Sequence, residues 1–143
     1  MNVKLQAMIN CGRWVEAEFG RRTLDRVLAR CRPELRGRYE SGIVIEWVPL
    51  ADLMEFYEAV VAVAGDGDRH VLRASGAASA RKNFRGWATR IATRLLSAET
   101  VFRRASSLWR QYNDAGELCL LELSEGTCRL EIRGVPSPHW GFC

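Results

Sequence analysis

A chain of 143 residues with 48% hydrophobic and 27% charged side chains is long enough for one packed core, which at this size removes roughly 68–70% of the unfolded surface from water. This composition excludes a disordered or fibrous polypeptide. The longest strongly apolar stretch, residues 59–64, falls far short of the ~20 residues of a membrane-spanning helix, and residues 1–5 hold no apolar block of a signal peptide. The net charge of +4 hides a basic middle: residues 69–110 carry ten basic groups and one acid, Glu99, whereas residues 1–68 carry nine and eleven and residues 111–143 carry two and five.

Leu5, Met8, Ile9, Gly12, Val15, Glu16 and Phe19 follow helical spacing, and Gly20 supplies the stop. A second helix is predicted from Thr23, whose hydroxyl would cap it, with Leu24, Val27, Leu28 and Cys31 as its apolar stripe. Pro33 closes that helix or opens a new turn. The β-branched run in Ile43-Val44-Ile45-Glu46-Trp47-Val48, ahead of Pro49, predicts a short strand. Leu50, Leu53, Met54, Tyr57, Val60, Val61 and Ala64 then form a helical stripe that ends at Gly65-Asp66-Gly67.

Residues 69–83 read as a helix with Ser75, Gly76 and Ser79 on one side, where small side chains let another element approach closely. Phe84, Trp87, Ala88, Ile91 and Leu95 continue a helical period, and Val101, Ala105, Leu108, Trp109 and Tyr112 define a further helix that Asn113-Asp114-Ala115-Gly116 stops. Residues 117–124 and 127–133 flank Glu125-Gly126 as a β-hairpin. Strict alternation puts Leu123 opposite Cys128, Leu121 opposite Leu130 and Cys119 opposite Ile132 on one apolar face, with Glu122 opposite Arg129 on the other.

Five cysteines without a C-x-x-C pair fit neither a disulfide scaffold nor a zinc ribbon. The chain lacks G-x-S-x-G, Walker, G-x-G-x-x-G and H-E-x-x-H signatures. His70 and His139 each lack a neighbouring base or ligand set. His139 and Cys143 could share a metal at helical spacing, but two ligands fall short of the four of a structural zinc site. These absences predict a domain that binds rather than catalyses, with no cofactor.

Two groups of side chains could bind. Arg81, Lys82, Arg85, Arg90 and Arg94 populate the polar side of the basic segment, where nucleic acid, another polyanion or an acidic protein would be attracted. Nineteen of the 21 cationic residues are Arg, whose planar fork suits phosphates and carboxylates. A solvated helix face paired with the acidic flanks explains the same pattern. Tyr57, Trp109 and Tyr112 lie on apolar helix faces with polar tips, as a ligand pocket or as ordinary core.

Glu46-Trp47-Val48-Pro49-Leu50, Arg73-Ala74-Ser75-Gly76 and Leu108-Trp109-Arg110-Gln111-Tyr112-Asn113-Asp114-Ala115-Gly116 ahead of a hairpin resemble, in their order, a myxobacterial paralogous family similar to four-vinyl-reductase-type and haem-NO-binding-like ligand-sensing domains. The resemblance spans nearly the whole chain. It implies helices against an antiparallel sheet, and small-molecule sensing, signalling or assembly, often through dimers. Members of that family continue beyond the position of Cys143 into a helix and two strands with further cysteines, which some sensor relatives use for zinc. Only Cys143 matches here, so zinc is not expected, and the shorter sheet would leave an edge for a protein partner or a second copy.

The expectation is therefore one α+β domain over residues 1–143, with about five to six helices packed on a small antiparallel sheet that includes a C-terminal β-hairpin. It would act in the bacterial cytoplasm as a non-enzymatic regulatory or adaptor domain, binding a protein partner, a second copy or a small ligand. The alternative is an Arg-rich polyanion-binding protein.

Overall fold

The computed structural model describes residues 1–84, 105–124 and 127–135. Strand β1 (Asn2–Lys4) leads into helices α1 (Gln6–Phe19), α2 (Arg21–Arg30) and α3 (Pro33–Ser41), then β2 (Trp47–Pro49), α4 (Leu50–Ala64), α5 (His70–Phe84), α6 (Ala105–Tyr112), β3 (Glu117–Ser124) and β4 (Thr127–Arg133). The fold is α+β, with β1 paired to β2 and β3 to β4 in two two-stranded sheets. The predicted helical continuation through Trp87, Ala88, Ile91 and Leu95 lies outside the described residues, as does Val101.

The chain divides into two compact units, residues 3–82 and residues 1–2 with 83–143. In the first, α1, α2 and α4 pack on one another. Their core comprises Met8 and Val15 from α1, Leu24, Val27 and Leu28 from α2, and Leu53, Phe56 and Val60 from α4, joined by Leu35 of α3. Val3 and Val48, one from each short strand, are also buried. Gly20 joins α1 to α2 at φ 84°, a left-handed angle at which a side chain would be strained. Thr23 does not cap α2. That helix starts two residues earlier, and the Thr23 hydroxyl donates instead to the Phe19 carbonyl at 2.9 Å, meeting a group orphaned at the end of α1.

The strand predicted from Ile43 is shorter than expected and begins at Trp47. Residues 43–46 form a turn in which the Glu46 N–H donates to the Ile43 carbonyl at 2.9 Å. Two of its carbonyls serve the first helix: Leu5 N–H donates to Glu46 at 2.9 Å and Gln6 N–H to Val44 at 3.1 Å. No side chain caps α1, so this turn satisfies donors that the helix leaves open, and that tertiary demand outweighs β-propensity.

On α5, Val71 and Ser75 are buried, and Ser79 is half-buried one turn on. Gly76 faces open space, so close approach explains Ser75 but not its neighbour. The helix is started by Asp68, whose carboxylate accepts the His70 N–H at 2.9 Å.

In the second unit, α6 packs against β3. Trp109 is buried and its indole N–H donates to the Ala115 carbonyl at 3.0 Å. Asn2 clasps Asp114: its backbone N–H and side-chain amide donate to the carboxylate at 2.6 and 2.7 Å. These bonds hold the Asp114 carboxyl below its usual range.

The hairpin register corrects the strict alternation. Leu123 does pair with Cys128 and Glu122 with Arg129, but an irregularity between Leu120 and Glu122 leaves Leu121 over. Beyond it Leu120 pairs with Leu130, Cys119 with Glu131, Leu118 with Ile132 and Glu117 with Arg133. The bulge turns Cys119 to the polar face and gathers Leu118, Leu120, Leu123, Cys128, Leu130 and Ile132 on the other. Cys119 and Cys128 thus lie on opposite faces, and both thiols are free.

Candidate functional site

Large apolar side chains on a surface mark contact sites when they cluster. Such a cluster stands between α3 and β2: Ile43 is 63% exposed, Ile45 67%, Val44 38% and Trp47 42%. Four large apolar residues within five positions therefore face solvent. The segment is held rather than loose. Besides the turn and the two bonds to the start of α1, the Lys4 ammonium donates to the Ile45 carbonyl at 2.6 Å and sits 3.8 Å from the centre of the Trp47 ring. Charge and indole face attract one another there. The tip is thus an apolar surface fixed in shape before any partner arrives, which lowers the ordering cost of docking.

The sequence-derived candidates are distributed otherwise. Tyr57 belongs to the first unit and Trp109 and Tyr112 to the second. Burial, with Cys11 nearby, pushes the Tyr57 phenol up, so it stays neutral. Tyr112 is 45% exposed at the end of α6. Arg81 is exposed on α5. Arg85, Arg90, Arg94, His139 and Cys143 lie outside the described residues, as does the side chain of Lys82.

Among the described residues, no cluster of three or more His, Cys, Asp or Glu side chains could hold a metal ion, and no helix is long and apolar enough to cross a membrane. The buried thiols are not poised as nucleophiles. Burial raises Cys11 to about 11 against a hydrogen bond with Ser75, and raises Cys31 to about 11 with help from Glu55. At pH 8 such thiols hold on the order of a hundredfold less thiolate than an ordinary cysteine. Iodoacetamide at that pH is expected to leave Cys11 and Cys31 unmodified in the folded chain and to label both in denaturant, read by peptide mass spectrometry. Labelling of either at the rate of a free peptide thiol would contradict their burial.

Among the described residues, one charged group is buried. Asp52 on α4 is held by Arg32 and by Arg38, the latter at 3.0 Å, and Arg32 also reaches Glu55 at 3.6 Å. The Glu55 carboxylate accepts the Arg32 backbone N–H at 2.7 Å, at the residue that opens α3. Every oxygen of Asp52 has a cation, which marks a brace between helices rather than a reactive acid.

Compared with protein-family models, curated proteins and solved structures, the chain matches none.

Proposed function

We propose that the chain is a non-enzymatic regulatory or adaptor domain that docks a protein partner through Ile43, Val44, Ile45 and Trp47. The observation that carries this reading is the exposure of these four side chains on a turn already fixed by Lys4 and by the start of α1. A partner offering an apolar pocket would gain roughly 1.5–3 kcal/mol for each such side chain fully buried, before the costs of association. Kinship with ligand-sensing domains of the four-vinyl-reductase and haem-NO-binding-like type, a cytoplasmic setting and dimer formation belong to the same proposal. Its support is the order of segments, helices first and hairpin last.

The test places a photo-crosslinking amino acid at position 45, with the exposed position 22 on α2 as control, in the producing cell. Discrete protein adducts from 45 and not from 22 are expected. Replacing Ile43 and Ile45 by Ser should remove those adducts while changing stability by less than about 0.5 kcal/mol per site, as exposed substitutions do. Equal adduct patterns at both positions, or adducts only to lipid, would overturn the proposal. Adducts only between copies would identify the partner as the chain itself.

A second reading, polyanion binding, draws on Arg73 and Arg81, which are exposed on α5 and form no ion pair among the described residues. Affinity for a single-stranded oligonucleotide should then fall steeply with salt, and Arg81→Glu should weaken it for all sequences alike. Salt-independent binding would exclude this reading.

A further inference from the structure

A groove of about 200 Å³ in the first unit is lined by Asn10, Arg13, Trp14 and Ala17 of α1 and by Ala78 and Ser79 of α5. The small side chains leave the space. Ala17, Ala78 and Ser79 stop at one or two heavy atoms, whereas the half-buried indole of Trp14 is set in place by an edge-on contact with Phe19 at 5.5 Å and 81°. A ring set against that indole would share the groove with the Ala17 and Ala78 methyls.

Four of the six lining residues carry polar groups. The Asn10 amide, the Arg13 guanidinium, the Trp14 indole N–H and the Ser79 hydroxyl each make no side-chain hydrogen bond or ion pair among the described residues. Arg21, Arg32, Arg36 and Arg38 of this unit pair with carboxylates, whereas Arg13, like the exposed Arg73 and Arg81, has no such partner among the described residues. Apolar walls with a few convergent polar groups are the general form of a small-molecule site. Size and charge then restrict the occupant. A cavity of about 150 Å³ holds benzene, so this volume suits one aromatic ring with a short substituent, and an unpaired guanidinium selects a carboxylate for that substituent.

We infer that this groove binds a small single-ring aromatic carboxylate, its ring against Trp14 and between the Ala17 and Ala78 methyls, its carboxylate on Arg13 with Asn10 or Ser79 as a further donor. The site shares no residue with the Ile43–Trp47 turn and stands whether or not that turn docks a partner.

Saturation-transfer NMR on the full chain, with benzoate as probe and benzamide and acetate as comparators, tests it. Benzoate is expected to bind more tightly than either comparator. Arg13→Gln, an exposed change that should leave folding intact, should weaken benzoate about tenfold while leaving benzamide unaltered. Ala78→Phe should fill the groove and remove both ring-containing probes. If that variant does not fold, Trp14→Leu, which keeps an apolar wall but no indole, should weaken both by a similar factor. No benzoate signal at about 10 mM, or benzoate binding that Arg13→Gln leaves unchanged, would overturn the inference. Loss of partner adducts in the Ser variants of the turn should leave benzoate binding as it is, so the two proposals fail separately.

Discussion

Phe56→Ala is expected to destabilise the first unit by about 3–5 kcal/mol, a large share of the 5–15 kcal/mol that typically separates folded from unfolded domains. Phe56 is fully buried, and its ring stacks on Tyr39 at 5.6 Å and 13°. Truncation would leave a hole among α1, α2 and α4 that rigid helix backbones close only in part. The same stack constrains α1, because a side-chain carbon on Gly12 would lie 2.2 Å from the Tyr39 hydroxyl and 2.6 Å from its ring. Gly12→Ala should therefore cost about 1–3 kcal/mol by pushing Tyr39 off Phe56. Urea unfolding measures both. In a Tyr39→Ala background the Gly12→Ala penalty should vanish, because the clash goes with the ring. A Gly12→Ala cost that persists without Tyr39 would assign it to backbone effects instead.

Helices were legible wherever the apolar spacing was dense. Leu24, Val27, Leu28 and Cys31, one stripe by spacing, are all buried, the first three on α2 and Cys31 at its C-cap. On α4 the apolar spacing marks Leu50, Leu53, Met54, Tyr57, Val60, Val61 and Ala64, yet the buried face is Leu50, Asp52, Leu53, Phe56, Ala59 and Val60, with Met54, Tyr57, Val61 and Ala64 only half-buried. The face is set by α1 and α2, which pack on it, and by Tyr39, which stacks on Phe56; Asp52 joins it because Arg32 and Arg38 cover its carboxylate, which a residue counted as polar cannot announce. The hairpin was legible in position and not in register. Two consecutive leucines, Leu120 and Leu121, break the period of two, and a bulge at that point restores an apolar face on both sides of the break.

The apolar turn shows the limit more sharply. Ile43, Val44 and Ile45 have the composition of a buried strand, and composition does not say which way a chain faces. What turns them outward is distant in sequence: the open donors at Leu5 and Gln6 and the Lys4 ammonium all claim carbonyls of residues 44–46. The groove beside Trp14 is half visible in the sequence, since Ser79, which lines it, belongs to the side of α5 that carries small residues. The opposite wall, Asn10, Arg13, Trp14 and Ala17 of α1, lies off the apolar stripe of that helix and carries no pattern of its own. Arg13 stands outside the basic segment, and that it has no ion-pair partner among the described residues is a property of the folded chain.

Removing both cations of Asp52 is expected to cost more than removing Asp52 itself. The asymmetry follows from exposure: the carboxylate side chain is 6% exposed, whereas those of Arg32 and Arg38 are 48% and 37% exposed. Arg32→Ala with Arg38→Ala strands an anion that has no route to water, and such stranding costs about 3–5 kcal/mol. Asp52→Leu leaves two arginines that can swing outward and resolvate, and it fills the vacated volume with carbon; about 1–2 kcal/mol is expected, part of it from the lost anchor of α3. Arg32→Ala alone should fall between them, because Arg38 still satisfies one oxygen while Glu55 keeps the backbone N–H of residue 32. Urea titrations of the three variants at one pH and ionic strength give the order directly. If Asp52→Leu proves the most damaging, the ion cluster is worth more as attraction than it costs as a buried charge, and its role is to supply stability outright. The order expected here makes it instead a device that fixes how α3 meets α4: tolerant of losing its anion and intolerant of leaving that anion alone.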